Sequence, residues 1–215
     1  MKREQNMETV SLQGKPHATL KKARISIFVS GNGTNAENFI RYFQGNEHIE
    51  VASVLCNHAQ APVIERLKPY GYTVQVFDRE SWKKPDEIVH LLQKQGIDLI
   101  VLAGFLAIVH EPLLSAFEGR IVNIHPSLLP KFGGKGMWGH HVHEAVVAAG
   151  EKESGITVHL VSGQVDGGAI VDQRRCPLLT GDTPESLEAR VHALEYRYYP
   201  EIVEQLLLKK YFRTK

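Results

Sequence analysis

An amide and an imidazole two residues apart give the clearest chemical signal in this sequence. Asn123 and His125 begin the segment NIHPSLLP, which ends at Pro130. In a strand, residues i and i+2 point to the same face, so these side chains would lie side by side. An amide that stabilises an oxyanion beside an imidazole that moves protons suits an acyl-type transfer. Either residue alone would be an ordinary loop residue, but the pair predicts a catalytic centre.

Asp166, in the segment DGG, is open to two interpretations. Asp-Gly is a common turn between strands, so the residue could serve only the turn. Alternatively, its carboxylate could lie beside His125. Sequence spacing alone does not decide between these roles.

A glycine-rich segment, SGNGTNA from Ser30 to Ala36, follows the first predicted strand and opens the first predicted helix. Such a turn lets the backbone approach a ligand, and the N–H groups of a helix start bind phosphate. The segment also fits the GxGxxA dinucleotide pattern, which requires an acidic residue after the second strand. That strand ends Cys56-Asn57-His58, without a carboxylate. A phosphate site is therefore favoured over an NAD site, and a purely structural turn is the other interpretation.

Short apolar segments that alternate with amphipathic ones predict an α/β fold. The predicted fold is a Rossmann-like, mostly parallel twisted sheet with helices on both faces. The open end of such a sheet, at the carboxyl ends of its strands, is where Asn123 and His125 emerge. After Gly150, two strand-like segments around a turn-rich loop predict an antiparallel C-terminal extension. Helical spacing from Thr183 predicts a long helix that Pro200 kinks or restarts. The predicted strands are 25–29, 51–56, 73–77, 98–103, 121–124, 155–161 and 169–175, and the earlier helices are 35–43, 61–69 and 85–95.

The composition fits one globular domain. The chain has 215 residues, 43% hydrophobic and 23% charged residues, and a formal net charge of +1. Residues 1–22 are polar and lack the apolar run of a signal peptide, so we expect a disordered tail before a single domain at 23–215. The charge gives no reason to expect a nucleic-acid partner, and no segment is apolar enough to predict a membrane span. Two distant cysteines fit free thiols in a reducing cytoplasm.

The histidine-rich segment HHVHE, from His140 to Glu144, could suggest a metal site. Its spacing matches no zinc pattern, because an i, i+4 pair with a distal third ligand is missing. We therefore expect no metal, and we expect these residues to open a helix on the surface.

Four segments in order resemble the formyl-tetrahydrofolate transferases: SGNGTN, LAGF from Leu102, NIHPSLLP and DGG. They fall within residues 24–208. The last two motifs are shared across those transferases. The GNGTN loop and the short chain resemble the phosphoribosylglycinamide formyltransferase family in particular.

The resemblance implies transfer of the formyl group of 10-formyltetrahydrofolate to the amine of glycinamide ribonucleotide, in de novo purine biosynthesis. It implies no metal, small-molecule partners only, and a monomer or homodimer. It also implies a cis Leu129–Pro130 bond and a histidine, His159, near the site. The implied catalytic residues are Asn123, His125 and Asp166; the substrate-binding residues are Gly33, Thr34, Asn35 and Glu195; and the folate-binding residues are Arg79, Leu106, Ala107, Ile108, Val109 and Asn123.

The sequence departs from the family pattern at two places. Many members have a basic residue where this chain has Ala107. The family's short loop after Pro130 is replaced by the longer, glycine-rich segment 131–140. This changes how one edge of the substrate site is closed.

Three alternative functions are weighed against this one. A formyltetrahydrofolate deformylase would use water as the acceptor, but it carries a regulatory N-terminal domain that 22 polar residues cannot form. A methionyl-tRNA formyltransferase would need a C-terminal RNA-binding domain and a basic surface. A nucleotide-binding module without activity would not need Asn123, His125 and Asp166 together.

Overall fold

The computed structural model describes residues 21–211. Seven strands form one sheet in the order β3-β2-β1-β4-β5-β6-β7. The first five strands pair in parallel, and the last two pairings are antiparallel. The strands are β1 (Ala23–Val29), β2 (Ile49–Cys56), β3 (Gln75–Val76), β4 (Leu99–Leu102), β5 (Ile121–His125), β6 (Glu153–Leu160) and β7 (Ile170–Pro177).

Helices cover both faces of this sheet. Along β4 the side chains alternate, so that Leu99 and Val101 belong to one buried cluster while Ile100 and Leu102 belong to the other. Such strands are apolar throughout because both of their faces are buried. The helices are α1 (Thr34–Phe43), α2 (Val63–Leu67), α3 (Arg79–Trp82), α4 (Pro85–Lys94), α5 (Leu113–Ala116), α6 (His140–Ala148) and α7 (Pro184–Tyr211), with a 3-10 turn at Lys68–Tyr70. The predicted α/β class and the helices on both faces are confirmed.

The antiparallel extension is also confirmed, and it adds β6 beside the strand that carries the predicted catalytic pair. Its register places His159 opposite Asn123 and Thr157 opposite His125. The Thr157 hydroxyl donates to the Ser127 carbonyl at 2.6 Å and accepts from the Leu129 N–H at 3.0 Å. These bonds hold the loop after His125, in which the Leu129–Pro130 bond is cis as expected.

The last helix, α7, is unbroken through Pro200, so it does not restart there, and the predicted kink stays a prediction. Proline has no N–H to donate to the carbonyl four residues earlier, which is that of Tyr196. The side chain of Asn38 on α1 donates to that carbonyl instead, at 2.7 Å. The helix is also held to the sheet by Tyr199, whose buried hydroxyl donates to the Leu102 carbonyl at 2.9 Å.

Other differences from the predicted elements are small. Strand β3 has two residues where five are predicted, and the short helices α3 and α5 are not predicted. The predicted tail falls on residues 1–22, of which 1–20 lie outside the described residues. Within residues 21–211 no helix combines the length and apolarity needed to cross a membrane.

Strands β6 and β7 pack closely at Gly155. A Cβ added there would lie 1.9 Å from the Arg174 carbonyl oxygen, which belongs to a paired backbone and cannot move aside. We expect Gly155→Ala to lower the free energy of unfolding by about 3 kcal/mol. At Gly163 an added Cβ meets nothing within 4 Å. Gly163→Ala should therefore change the free energy of unfolding by no more than about 0.5 kcal/mol. Urea denaturation of both variants tests this, and equal stabilities would contradict the packing of β6 on β7.

Candidate active site

A cavity of about 710 Å³ opens at the carboxyl ends of β1, β4 and β5. This is the end of an open parallel sheet at which ligands bind. Besides the strand ends, the start of α1, the loop 134–139, the loop 161–166 and one face of α7 line it. The predicted catalytic residues Asn123, His125 and Asp166 all face this one space, together with Gly33, Thr34, Asn35 and Glu195.

The glycine-rich turn enters α1 through Gly33, which has a left-handed φ of 72°. A Cβ at this position would also lie 2.2 Å from Cγ2 of Val63, so that both the conformation and the space require glycine. No side chain caps the start of α1 at Thr34. The first N–H groups of a helix have no partner within the helix, so this start offers donors and a partial positive charge to an anion in the cavity.

The predicted pair at the end of β5 is joined by the histidine opposite it. The Asn123 amide nitrogen donates to Nε2 of His159 at 3.2 Å, and Nδ1 of His159 faces the Leu160 carbonyl at 3.0 Å. Since a carbonyl only accepts, Nδ1 of His159 carries the proton. By the same argument Nε2 of His125 donates to the carbonyl of Phe132, at 2.7 Å.

Asp166 lies between the two histidines. Its Oδ2 is 3.6 Å from Nδ1 of His125, and its Oδ1 is 3.6 Å from Nε2 of His159. The N–H of Gly134 donates to Oδ2 at 2.9 Å. Asp166 has a left-handed φ of 54°, which is uncommon outside glycine. The turn therefore aims the carboxylate at both imidazoles, so that the two interpretations of Asp166 describe one arrangement.

Burial and charge act in opposite directions on these groups. Burial lowers the pKa of His125 below its ordinary value, and the Asp166 carboxylate only partly opposes this. Burial also acts against the charge of Asp166, but His159, the Gly134 N–H and His125 together outweigh it and lower the pKa of Asp166. The site therefore favours an ionised carboxylate beside an imidazole whose neutral form burial stabilises.

On the opposite side of the cavity the predicted substrate residues contact one another. The side-chain nitrogen of Asn35 donates to Oε2 of Glu195 at 2.9 Å, and both side chains are buried. Burial raises the pKa of Glu195, while this hydrogen bond and His192 act to lower it. The side-chain oxygen of Asn35 is buried without a hydrogen-bond partner. Asn35 thus uses one N–H of its amide to orient Glu195, which leaves its backbone N–H as a donor at the start of α1.

The predicted folate residues divide into two groups. The segment from Leu106 to Val109 lines the cavity, and the side chains of Leu106 and Ile108 are 60% and 57% exposed. The Leu106 N–H donates to Oγ of Ser30 at 2.8 Å, which fixes the segment against the glycine-rich turn. Arg79 is exposed on α3 and is not among the cavity-lining residues. Its role in folate binding stays a prediction.

Sequence reasoning did not assign several groups that complete the site. The Gly134 N–H and the Phe132 carbonyl both contact catalytic side chains, and they belong to the loop that departs from the family pattern. His143 is 3% exposed and lines the cavity, so the expected surface position is wrong. The reason is that α6 turns Val142, His143 and Val146 inward together. Only the run of glycines in this loop signalled a close approach of backbone to the site.

The comparisons with known proteins decide the family. The sequence profile of the family described as formyl transferase matches residues 23–203. This chain belongs to the formyl transferase family. It is therefore a formyl-transferring enzyme, and the other members of this family are its relatives.

Relatives within the formyl transferase family carry a narrower name. A phosphoribosylglycinamide formyltransferase of Bacillus subtilis is 36% identical over 86% of this chain and 94% of its own length. A chloroplastic one of Vigna unguiculata is 38% identical over 87% of this chain, which spans 62% of the plant protein. The crystal structure of the Bacillus halodurans phosphoribosylglycinamide formyltransferase has a TM-score of 0.79 and 38% identity, over 88% of this chain and all of that one (100%).

Metal binding has no counterpart in the described site. Among residues 21–211, no group of three or more His, Cys, Asp or Glu side chains could hold a metal ion. His125 and His159 instead contact amide, carbonyl and carboxylate groups.

Removal of the Asp166 charge should lower the pKa of His125 further. In Asp166→Asn the amide oxygen can still accept from the Gly134 N–H, but the negative charge that favours the imidazolium is lost. Titration of the His125 ring by NMR should therefore show protonation at lower pH than in the wild type. Asp172→Asn, which removes a carboxylate paired with Arg174 on β7, is the matched control and should leave the titration unchanged. An unchanged or raised pKa in Asp166→Asn would contradict the observed proximity.

Proposed function

We propose that this chain transfers the formyl group of 10-formyltetrahydrofolate to the amine of glycinamide ribonucleotide, in purine biosynthesis. The observation that carries the proposal is the placement of Asp166 between His125 and His159, in the cavity that also receives the uncapped start of α1. A transferase with a phosphorylated acceptor needs both parts, the reacting centre and an anchor for a distant phosphate. The names of its relatives agree with this substrate.

In the proposed reaction the acceptor amine attacks the formyl carbon. A bond forms between the amine nitrogen and that carbon, the bond from the carbon to the folate nitrogen breaks, and one proton passes from the amine to the folate nitrogen. The Asn123 amide donates to the oxyanion of the tetrahedral intermediate, and His125 stabilises it when protonated. Asp166 favours this imidazolium through its charge and relays protons through water.

The two ends of the cavity take different substrates in this proposal. The start of α1, from Gly33 to Asn35, receives the phosphate, and Glu195 contacts the body of the same acceptor. The segment from Leu106 to Val109 supplies an apolar wall for the folate, and its main chain takes the place of the basic side chain that Ala107 lacks. The exposed apolar side chains of Leu106 and Ile108 support this assignment.

The alternative functions explain fewer of these observations than the proposed transferase does. A deformylase has water as its acceptor and no use for an uncapped helix start beside the reacting centre. A binding module without activity has no use for a carboxylate held between two imidazoles. Cytoplasmic location, a monomeric or homodimeric state and the absence of a nucleic-acid partner stay predictions.

Acceptor dependence distinguishes transfer from hydrolysis. Anchoring the phosphate orients the amine, and orientation of this kind can lower a barrier by about 7–11 kcal/mol. We expect release of tetrahydrofolate only when glycinamide ribonucleotide is present, with a labelled formyl group appearing on its amine. The measurement compares tetrahydrofolate release with and without acceptor at matched enzyme concentration. Equal rates with formate as the product would establish the deformylase instead.

Loss of the Asp166 carboxylate should slow turnover strongly. We expect kcat of Asp166→Asn to fall by about 10²–10⁴-fold, the usual contribution of general acid–base catalysis. The KM for either substrate should change little, because neither is proposed to bind through Asp166. Asp172→Asn controls for the loss of an aspartate elsewhere in the sheet. Near-wild-type turnover in Asp166→Asn would leave this residue only its role in the turn.

A further inference from the structure

The loop 131–139 is fixed to the catalytic groups along its first half. Oγ of Ser127 donates to the Lys131 carbonyl at 2.8 Å, and His125 donates to the Phe132 carbonyl at 2.7 Å. The Gly134 N–H then donates to Asp166 at 2.9 Å. Lys135 follows this last anchor directly, between two glycines with left-handed φ angles of 93° and 89°. Its position beside the reacting centre is therefore set by the backbone.

The ionisable groups that line the cavity are almost all paired. Asp166 lies beside His125 and His159, and Glu195 accepts from Asn35. Glu188 is 2.7 Å from Nδ1 of His140 and raises the pKa of that histidine. Of the remaining lining imidazoles, His192 lies 3.6 Å from Glu195, and Nδ1 of His143 is buried without a hydrogen-bond partner.

Lys135 differs from these groups as an exposed cation of the lining. Among the described residues that line the cavity it is the only lysine or arginine. Within residues 21–211 its ammonium group has no hydrogen bond or ion pair, whereas Lys131 in the same loop pairs with Glu151 at 2.8 Å. An unpaired, flexible point charge is thus held at the mouth of a cavity that contains three carboxylates.

We propose that Lys135 binds the phosphate of the acceptor, opposite the start of α1. This inference rests on the proposed function, which requires a phosphorylated acceptor. A phosphate monoester carries a charge of about −1.5 to −2 at pH 7, whereas a helix start supplies the equivalent of about +0.5. The three carboxylates of the cavity oppose such a ligand. Lys135 supplies the full positive charge that the helix start lacks.

The course of the loop favours the acceptor over the anionic tail of the folate. Beyond Lys135 the loop leads into α6, whose first residue, His140, contacts Glu188 on α7. One turn further along, α7 presents His192 and Glu195 to the cavity. The loop therefore borders the wall formed by α7 and the start of α1. The exposed segment from Leu106 to Val109, where the folate is proposed to bind, forms a different part of the lining.

Steady-state kinetics of Lys135→Ala test the proposal. Loss of one charge-assisted contact at an exposed position should raise the KM for glycinamide ribonucleotide about tenfold. The kcat and the KM for 10-formyltetrahydrofolate should stay within about twofold of the wild type, since that part of the lining is untouched. Lys135→Arg should restore most of the acceptor affinity. Lys131→Ala, which removes the paired lysine of the same loop, is the matched control and should leave both KM values unchanged.

An acceptor without its phosphate, glycinamide riboside, isolates the proposed contact. Lys135→Ala should reduce the preference of the enzyme for the phosphorylated acceptor about tenfold, while leaving kcat/KM for the riboside unchanged. An unchanged preference would overturn the proposal, as would a variant that raises only the KM for the folate. Wild-type enzyme without acceptor-dependent release of tetrahydrofolate would instead refute the proposed function, whatever the variant does.

Discussion

The carboxylate of Asp166 is the group on which the arrangement of the site depends. It joins three segments that are distant in sequence: the end of β5 through His125, the end of β6 through His159, and the loop 131–139 through the Gly134 N–H. The Gly134 N–H donates to this half-buried carboxylate, and each imidazole can become a donor to it on protonation, which offsets the loss of hydration. The left-handed turn at Asp166 and the antiparallel register of β6 bring these partners around the carboxylate.

The same carboxylate explains why an imidazole can act in a buried position. Burial lowers the pKa of His125 and so favours the neutral ring, which suits a base but not an oxyanion stabiliser. In the proposed reaction, the Asp166 charge 3.6 Å away favours the protonated form of His125 as negative charge develops in the cavity.

The sequence predicted the parts of this structure that follow from local patterns. Apolar segments of strand length gave the parallel sheet, and the NIHPSLLP motif placed Asn123 and His125 at its open end. Glycines that must turn sharply identified the start of α1, where Gly33 is required by both conformation and space. Patterns of this kind depend on neighbours along the chain, which a sequence displays directly.

The features that sequence did not predict depend on partners distant along the chain. The hydrogen bond from the Asn35 amide to Glu195, 160 residues away, could not be predicted, because nothing in the neighbourhood of Asn35 reveals this partner. Pro200 does not end its helix because Asn38 replaces the missing donor, and no local pattern could show this. The pairing of the Gly134 N–H with Asp166 is a backbone contact, so residue type alone could not identify it.

The two contacts from α1 to α7 have a consequence for acceptor choice. Asn35 donates a hydrogen bond to Glu195, and Asn38 donates one to the carbonyl of Tyr196. Successive turns of α1 are therefore attached to adjacent residues of α7. In the proposed binding mode, the phosphate anchor at the start of α1 and the Glu195 carboxylate therefore share one frame. Under that proposal the frame fixes the distance from phosphate to amine, so that an acceptor one bond longer or shorter would hold its amine away from the formyl carbon. Selection among amines would then depend on this distance more than on contacts with the amine itself.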